Sequence, residues 1–457
     1  MMNVQEIVTQ QRLYFNKKNT LAFEFRKSQL LKLRKNILKY ENDLKEALYK
    51  DLNKNETESY FAEIGQVLNE ITFLLKNLKK LMKNKRVKSH FFDFPSKSYT
   101  SPHPYGVALI ISPWNYPVML TLGPLVGAIA SGNTAIIKPS EFSQHTTDVL
   151  EKLIQETFDP EYVVLVKGAI KETQDLLNQK FDFIFFTGSS SVGKIVMEKA
   201  SKHLTPIVLE LGGKSPVIVD KTANIKVSAK RIAFGKHLNA GQTCIAPDHL
   251  YVHKDIKDEF ISHLKQSIED LYGQNPITSK DYGKIIKEKH YKRLLSLIDK
   301  ETIVYGGNKD DALRKIAPTI VDNITHDHAI MQEEIFGPIL PIIPYDNLDE
   351  VISLINSNPS PLALYIFSEN KQVQDRIIQE CTFGGGCIND TMVHVSSDYL
   401  PFGGVGKSGM GSYHGKASFQ TFSHYRSILH KSTKVDVKAR YAPYNEQKEK
   451  LTKMVLK

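Results

Sequence analysis

Two side chains suited to covalent chemistry stand close together in the middle of the chain. Cys244 sits in the run Asn239-Ala240-Gly241-Gln242-Thr243-Cys244-Ile245-Ala246-Pro247, and Glu210 in Leu209-Glu210-Leu211-Gly212-Gly213-Lys214. A thiol nucleophile and a carboxylate base are enough for one covalent cycle. The apolar, flexible surroundings of Glu210 suit a movable carboxylate whose pKa is lifted toward neutrality by partial burial. A third group is Asn115, in Ser112-Pro113-Trp114-Asn115-Tyr116-Pro117. An uncharged amide can donate to an oxyanion without pairing with a thiolate. On residue type alone each has a plainer reading: a cysteine packed as a small hydrophobe, a solvated glutamate at a strand end, an asparagine turn between prolines.

Elements of alternating type must position these groups. Up to about residue 85, apolar residues recur at helical spacing among charges, as in Leu30, Leu31, Leu33, Ile37, Leu38 and in Ile64, Val67, Leu68, Ile71, Leu74, Leu75, which predicts an all-helical entry. The basic run Lys79 to Lys88 leads into Phe91-Phe92-Asp93-Phe94-Pro95, read as an extended excursion. From Gly106 onward short apolar runs alternate with helix-length segments: 107–111, 134–137, 162–166 and 183–186. A second set comprises 216–219, 250–252, 317–320, 340–343 and 364–367. This alternation predicts two α/β lobes built on parallel sheets.

Two segments follow strands and open helices, Lys138-Pro139-Ser140-Glu141 and Thr187-Gly188-Ser189-Ser190-Ser191-Val192-Gly193. Such strand ends take nucleotides, and a glycine at a helix start lets phosphate approach the backbone. The Gly188 to Gly193 spacing departs from the three-glycine dinucleotide fingerprint and is weak taken alone. The glycine-dense stretches 383–391 and 400–416 read as a loop packed over a site mouth. His394 and His414 lie within this region without an evident metal or nucleophile partner and read as structural.

Composition narrows the classes. The 457 residues with 41% hydrophobic content exceed one ordinary core. Net charge is +10, yet 50 acidic residues are interspersed with 60 basic ones, and no basic stripe with aromatics recurs, so nucleic acid is not an expected partner. Three cysteines, Cys244, Cys381 and Cys387, fit neither a disulfide framework nor a metal site. With no basic-then-apolar leader and no stretch of about 20 apolar residues, the chain is expected to be cytoplasmic, without an integral membrane segment. The basic tail after about residue 428 is expected to be solvated or exchanged with a partner copy.

In unbroken order from about residue 20 to 430, these motifs resemble the aldehyde dehydrogenase superfamily, and the C-terminal glycine signature resembles its class 3, fatty and aromatic aldehyde branch. The resemblance implies an NAD(P)-dependent oxidation of an aldehyde to the acid. Cys244 would attack, Asn115 and the Cys244 N–H would hold the oxyanion, and Glu210 would activate the hydrolytic water. Lys138 and Glu141 would meet the adenine ribose, and Thr187, Gly188, Ser189 and Gly193 would form the dinucleotide loop. Glu334, in Glu333-Glu334-Ile335-Phe336-Gly337, would hold the nicotinamide ribose, and Phe336 would pack beside the nicotinamide. Glu141 would repel a 2′-phosphate, favouring NAD, with NADP accepted in some relatives. No metal is implied. Trp114 and Tyr116 favour medium or long aliphatic, or aromatic, substrates.

The implied architecture is a Rossmann-like NAD(P)-binding domain (1–84 and 104–210), a catalytic domain (211–420), and a bridging element with tail (85–103 and 421–457) through which a homodimer would form. Competing readings are acyl transfer to coenzyme A, which the presence of Glu210 argues against, ester hydrolysis without redox chemistry, and a non-catalytic relic of the fold.

Overall fold

Runs of β-branched and aromatic residues, Val107–Ile111, Thr134–Lys138 and Phe183–Thr187, are buried at every position, as strands covered on both faces must be. In the computed structural model, which describes residues 3–90 and 93–456, they form the middle of a six-stranded sheet. Its order is Gly409–Met410, Ile207–Glu210, Phe183–Thr187, Val107–Ile111, Thr134–Lys138, Val163–Leu165. All pairs are parallel except the first, which is antiparallel. The register places Ile111 beside Lys138 and Phe186, and Thr187 beside Glu210. Lys138, Thr187, Glu210 and the chain after Ile111 therefore leave the sheet at its carboxyl edge, where open parallel sheets bind ligands.

A second sheet has the order Thr302–Tyr305, Thr319–Asp322, Ile339–Tyr345, His249–His253, Pro216–Val219, Ala363–Phe367, Gly385–Ile388. It too is parallel apart from its first pair. Helices cover both sheets, giving two α/β lobes.

The entry segment folds as the helices Val4–Asn16, Phe23–Lys39, Glu41–Leu52 and Gly65–Leu81. Leu30, Leu33, Ile37, Ile64, Val67, Ile71 and Leu74 pack into one core with the first sheet. Leu31 and Leu38, expected on that stripe, face solvent instead. Between Leu52 and Gly65 lie a short helix Glu56–Ser59 and a π-helical turn Tyr60–Ile64, an irregularity often found at functional sites. It buries Glu58 and Glu63 and leaves Tyr60 and Phe61 exposed.

The excursion forms a three-stranded antiparallel sheet, Lys85–Val87, Ser96–Pro104 and Ser423–Lys431. Phe91 and Phe92, part of that expected excursion, lie outside the described residues. The tail carries an exposed helix, Glu446–Val455.

The glycine-dense region differs from a plain loop. Gly385–Ile388 is the edge strand of the second sheet, and Gly409–Met410 joins the first sheet although it falls within residues expected in the other lobe. The cause is close backbone approach. A Cβ at Gly386 would lie 1.9 Å from the Leu364 carbonyl oxygen, and one at Gly409 2.1 Å from that of Leu209. Among the described residues no helix is long and apolar enough to cross a membrane. None of them form a group of three or more His, Cys, Asp or Glu able to hold a metal ion.

Candidate active site

The helix Ile225–His237 ends in the buried turn Leu238–Gly241, where Asn239 (φ 52°) and Ala240 (φ 51°) both take left-handed backbone. Such strain persists only where the surroundings enforce it, and here it delivers Cys244 to a wall between two cavities. One, of about 250 Å³, is apolar, with Phe61, Met119, Leu120, Phe234, Phe402 and Tyr413 in its lining. The other, of about 310 Å³, is lined by Asn115, Thr187, Gly188, Ser189, Glu210, Glu334 and Phe336 among others. Cys244 lines both.

Most of the residues singled out in the sequence thus converge. Lys138, Glu141 and Gly193 stand apart from this cavity. Lys138 is buried at its strand end and donates to the Pro139 carbonyl at 2.7 Å, and Glu141 is exposed. Gly193, in the helix Ser190–Ser201, allows close packing on the first sheet, since a Cβ there would lie 2.8 Å from Leu211 Cδ2.

Three carboxyl groups, Glu210, Glu333 and Glu334, line the polar cavity against one guanidinium, Arg293. Burial raises the Cys244 thiol far above its ordinary range, with the Glu334 and Glu210 carboxylates adding to the effect. Burial alone holds Glu210 well above the usual carboxylate range, and neither of its carboxylate oxygens has a hydrogen-bond partner. Glu334 is pushed up to about 8, by burial first and then by Asp248, against a hydrogen bond from the Gly213 N–H and the charge of Lys214. A thiol in this setting needs a nearby cation or proton acceptor to become a nucleophile. The Asn115 amide donates to the Gln242 carbonyl at 3.0 Å, tying it to the Cys244 loop.

The helix Glu288–Ile298 contributes residues that sequence reasoning missed. The His290 ring lies 5.4 Å from that of Trp114. Arg293 donates to the Ile335 carbonyl at 2.5 Å, the Glu334 carbonyl at 3.3 Å and Glu333 Oε1 at 2.9 Å, so it clamps the segment bearing Glu334 and Phe336. Trp114 meets Phe336 edge-on at 5.5 Å. Two basic residues in a charged amphipathic helix carry no spacing signal. His394 does have a partner, contrary to expectation: its Nδ1 lies 3.4 Å from Cys387 Sγ. Burial holds the imidazole at about 4 and raises the thiol, so the pair is neutral.

The strand–loop–helix at Thr187 fits a dinucleotide. Gly188 leaves room that a side chain would fill, a Cβ there standing 2.7 Å from Phe186 Cζ. Thr187 Oγ1 is buried without a partner, and Ser189 caps the helix that follows, whose N–H groups favour phosphate. A thiol between an apolar slot and a polar one can add to an electrophile seated in the first while a second reactant occupies the other.

Comparison with known proteins agrees with this geometry. A model of the aldehyde dehydrogenase family matches residues 2–428. The chain is 53% identical over 433 residues to 4,4'-diaponeurosporen-aldehyde dehydrogenase of Staphylococcus aureus, covering 94% of each protein. It is 46% identical over 444 residues to aldehyde dehydrogenase family 3 member A2 of Rattus norvegicus, covering 97% of this chain and 92% of that one. The solved substrate-bound state of Staphylococcus aureus AldH is similar at TM-score 0.98 and 51% identity, over the full length of both chains.

Proposed function

The chain belongs to the aldehyde dehydrogenase family, and from that premise we propose that it oxidises medium- or long-chain or aromatic aldehydes to carboxylic acids through a thioester on Cys244. Its enzymatic class is oxidoreductase, of the branch of aldehyde dehydrogenase family 3, and its cofactor is NAD, with NADP a second candidate. The observation that carries the proposal is the place of Cys244 between an apolar cavity and the polar cavity beside Thr187 and Gly188.

In this reading the aldehyde enters the apolar cavity, the Cys244 thiol gives up its proton to water, and Cys244 Sγ adds to the carbonyl carbon. The Asn115 side-chain amide and the Cys244 N–H hold the oxyanion that forms. A bound nicotinamide would supply a positive charge and would accept the hydride that leaves the tetrahedral carbon as its C=O re-forms, leaving the thioester on Cys244. Thr187, Gly188, Ser189 and the helix start hold the dinucleotide phosphates, Lys138 and Glu141 the adenine ribose, Glu334 the nicotinamide ribose, and Phe336 the ring. Glu210 then takes a proton from the water that releases the acid. Its two unpartnered oxygens favour it over Glu334, which the Gly213 N–H holds. A raised carboxylate pKa suits a base working near neutrality.

We assign residues 1–84 and 104–210 to cofactor binding, 211–420 to catalysis, and 85–103 with 421–457 to bridging two copies. The exposed Ile428 and Leu429 on the three-stranded sheet support pairing there. The test is absorbance of reduced cofactor with NAD or NADP and aldehydes from acetaldehyde to long-chain and aromatic members. Rising kcat/KM with apolar length supports the substrate assignment; preference for small polar aldehydes refutes it.

A further inference from the structure

Away from both cavities, a buried ionic cluster from the entry helices meets the backbone that carries Asn115. Lys54 and Glu63 have fully buried side chains, with Nζ 2.6 Å from Glu63 Oε1. Lys54 Nζ also donates to the Asn115 carbonyl at 2.9 Å and lies 3.9 Å from the centre of the Tyr116 ring. The other oxygen of Glu63 accepts from the N–H groups of Val118 at 2.8 Å and Met119 at 3.3 Å, where the helix Met119–Ser131 begins. The segment Asn115 to Met119 is thereby tied at both ends by one ion pair.

The Cys244 loop is tied to the same place. Asn239 Nδ2 donates to the Asn115 carbonyl at 2.8 Å, so this single oxygen receives Lys54 from one side and Asn239 from the other. The Asn239 N–H in turn donates to Glu58 Oε1 at 2.9 Å, and the Tyr116 hydroxyl meets Thr243 Oγ1 at 2.7 Å. A buried ion pair adds little net stability, because desolvation offsets its Coulombic gain. Its geometric effect is the stronger one: it fixes a carbonyl whose own side chain must aim at one point.

We infer that Lys54 is a positioning residue for the reaction: by holding the Asn115 carbonyl against the Cys244 loop, it fixes the direction in which the Asn115 amide presents its N–H to the developing oxyanion. This rests on the proposed role of Asn115 as oxyanion donor. Lys54 lines neither cavity; besides the Asn115 carbonyl it meets the Tyr116 ring and Glu63, and the cycle with Asn115→Ala separates the path through Asn115 from those contacts.

The experiment is a double-mutant cycle on the full-length enzyme with Lys54→Met, Asn115→Ala and the pair, reading kcat/KM for an aldehyde, the dissociation constant for NAD and the rate of Cys244 alkylation by iodoacetamide. Lys54→Met is expected to lower kcat/KM about tenfold to a hundredfold, as small misplacements of a donor do. NAD binding and alkylation stay within about twofold of the parent, and in the Asn115→Ala background the same change has almost no further effect. Lys54→Arg, which keeps a cationic donor, recovers part of the loss. An equal loss in both backgrounds, or unchanged kcat/KM in a folded Lys54→Met, overturns the inference. If Asn115→Ala itself turns over normally, the oxyanion assignment falls instead. Should Lys54→Met not fold, Glu63→Gln, whose one amide oxygen can still accept from Val118 and Met119 while the acceptor for Lys54 is lost, is put through the same cycle with the same criteria.

Discussion

Gly212 makes room for Glu334: a Cβ at residue 212 would stand 2.1 Å from Glu334 Oε2, while the neighbouring Gly213 N–H donates to the same carboxylate. The flexible turn after Glu210 therefore also seats the second acidic group of the site. Gly212→Ala is expected to push the Glu334 side chain aside without unfolding the protein, since the obstructing atoms are the far end of a side chain. Losing the hydrogen bond that Glu334 would make to the nicotinamide ribose corresponds to roughly a three- to tenfold weakening of NAD binding. Calorimetric titration with NAD, with the Tm as control, checks this; unchanged affinity contradicts it.

The Glu334 carboxyl is raised from 4.5 to about 8, so between these values the folded protein keeps a proton that the unfolded chain has released. Its contribution to stability is full below about pH 4.5 and is lost as pH rises toward 8. Glu334→Gln removes this dependence. The Tm of the parent should fall more steeply than that of the variant from about pH 5 to 8; parallel curves contradict the assignment.

The apolar cavity should set chain-length preference. Ala62 lines it at a partly buried position next to Phe61, and Ala62→Phe narrows it. Filling an apolar pocket changes selection among substrates by about 10- to 200-fold per lost fit of this kind. The kcat/KM for decanal should fall by at least about tenfold while that for acetaldehyde stays within about threefold. Equal losses for both would place the substrate elsewhere.

Asn115→Ala should lower kcat by about 10²- to 10³-fold, the loss measured for an oxyanion donor in other enzymes, with NAD affinity retained. Steady-state kinetics and NAD titration on the same preparation separate the two. A variant that loses NAD binding and keeps kcat would make Asn115 a cofactor ligand instead.

Strand positions were legible where both faces of a strand are buried, because runs such as Val107–Ile111 and Phe183–Thr187 are apolar without interruption. Gly385–Ile388 escaped because a strand that lies against the Leu364 carbonyl must be glycine-rich, and glycine is also the mark of a loop. Asn115, Thr187, Gly188, Ser189, Glu210, Glu334 and Phe336 of the polar cavity were named from motifs local in sequence, whereas His290 and Arg293 were not. The apolar cavity was legible only in part: Tyr116 and the 400–416 loop that bears Phe402 and Tyr413 line it, whereas Phe61 and Phe234 come from distant segments and meet them only through the fold. Lys54 and Glu63 are nine residues apart across a π-helical turn, a spacing that predicts no contact.

The central claim is that Cys244 carries the acyl group and Glu210 releases it. Slowing release should trap that state, since a positioned base contributes about 10²- to 10⁴-fold. Glu210→Gln is mixed with an aldehyde and NAD, quenched, digested and analysed by mass spectrometry. The account predicts a burst of about one reduced cofactor per subunit, followed by slow turnover, and an acyl mass on the peptide containing Cys244. Normal steady turnover with no adduct on that peptide would contradict it.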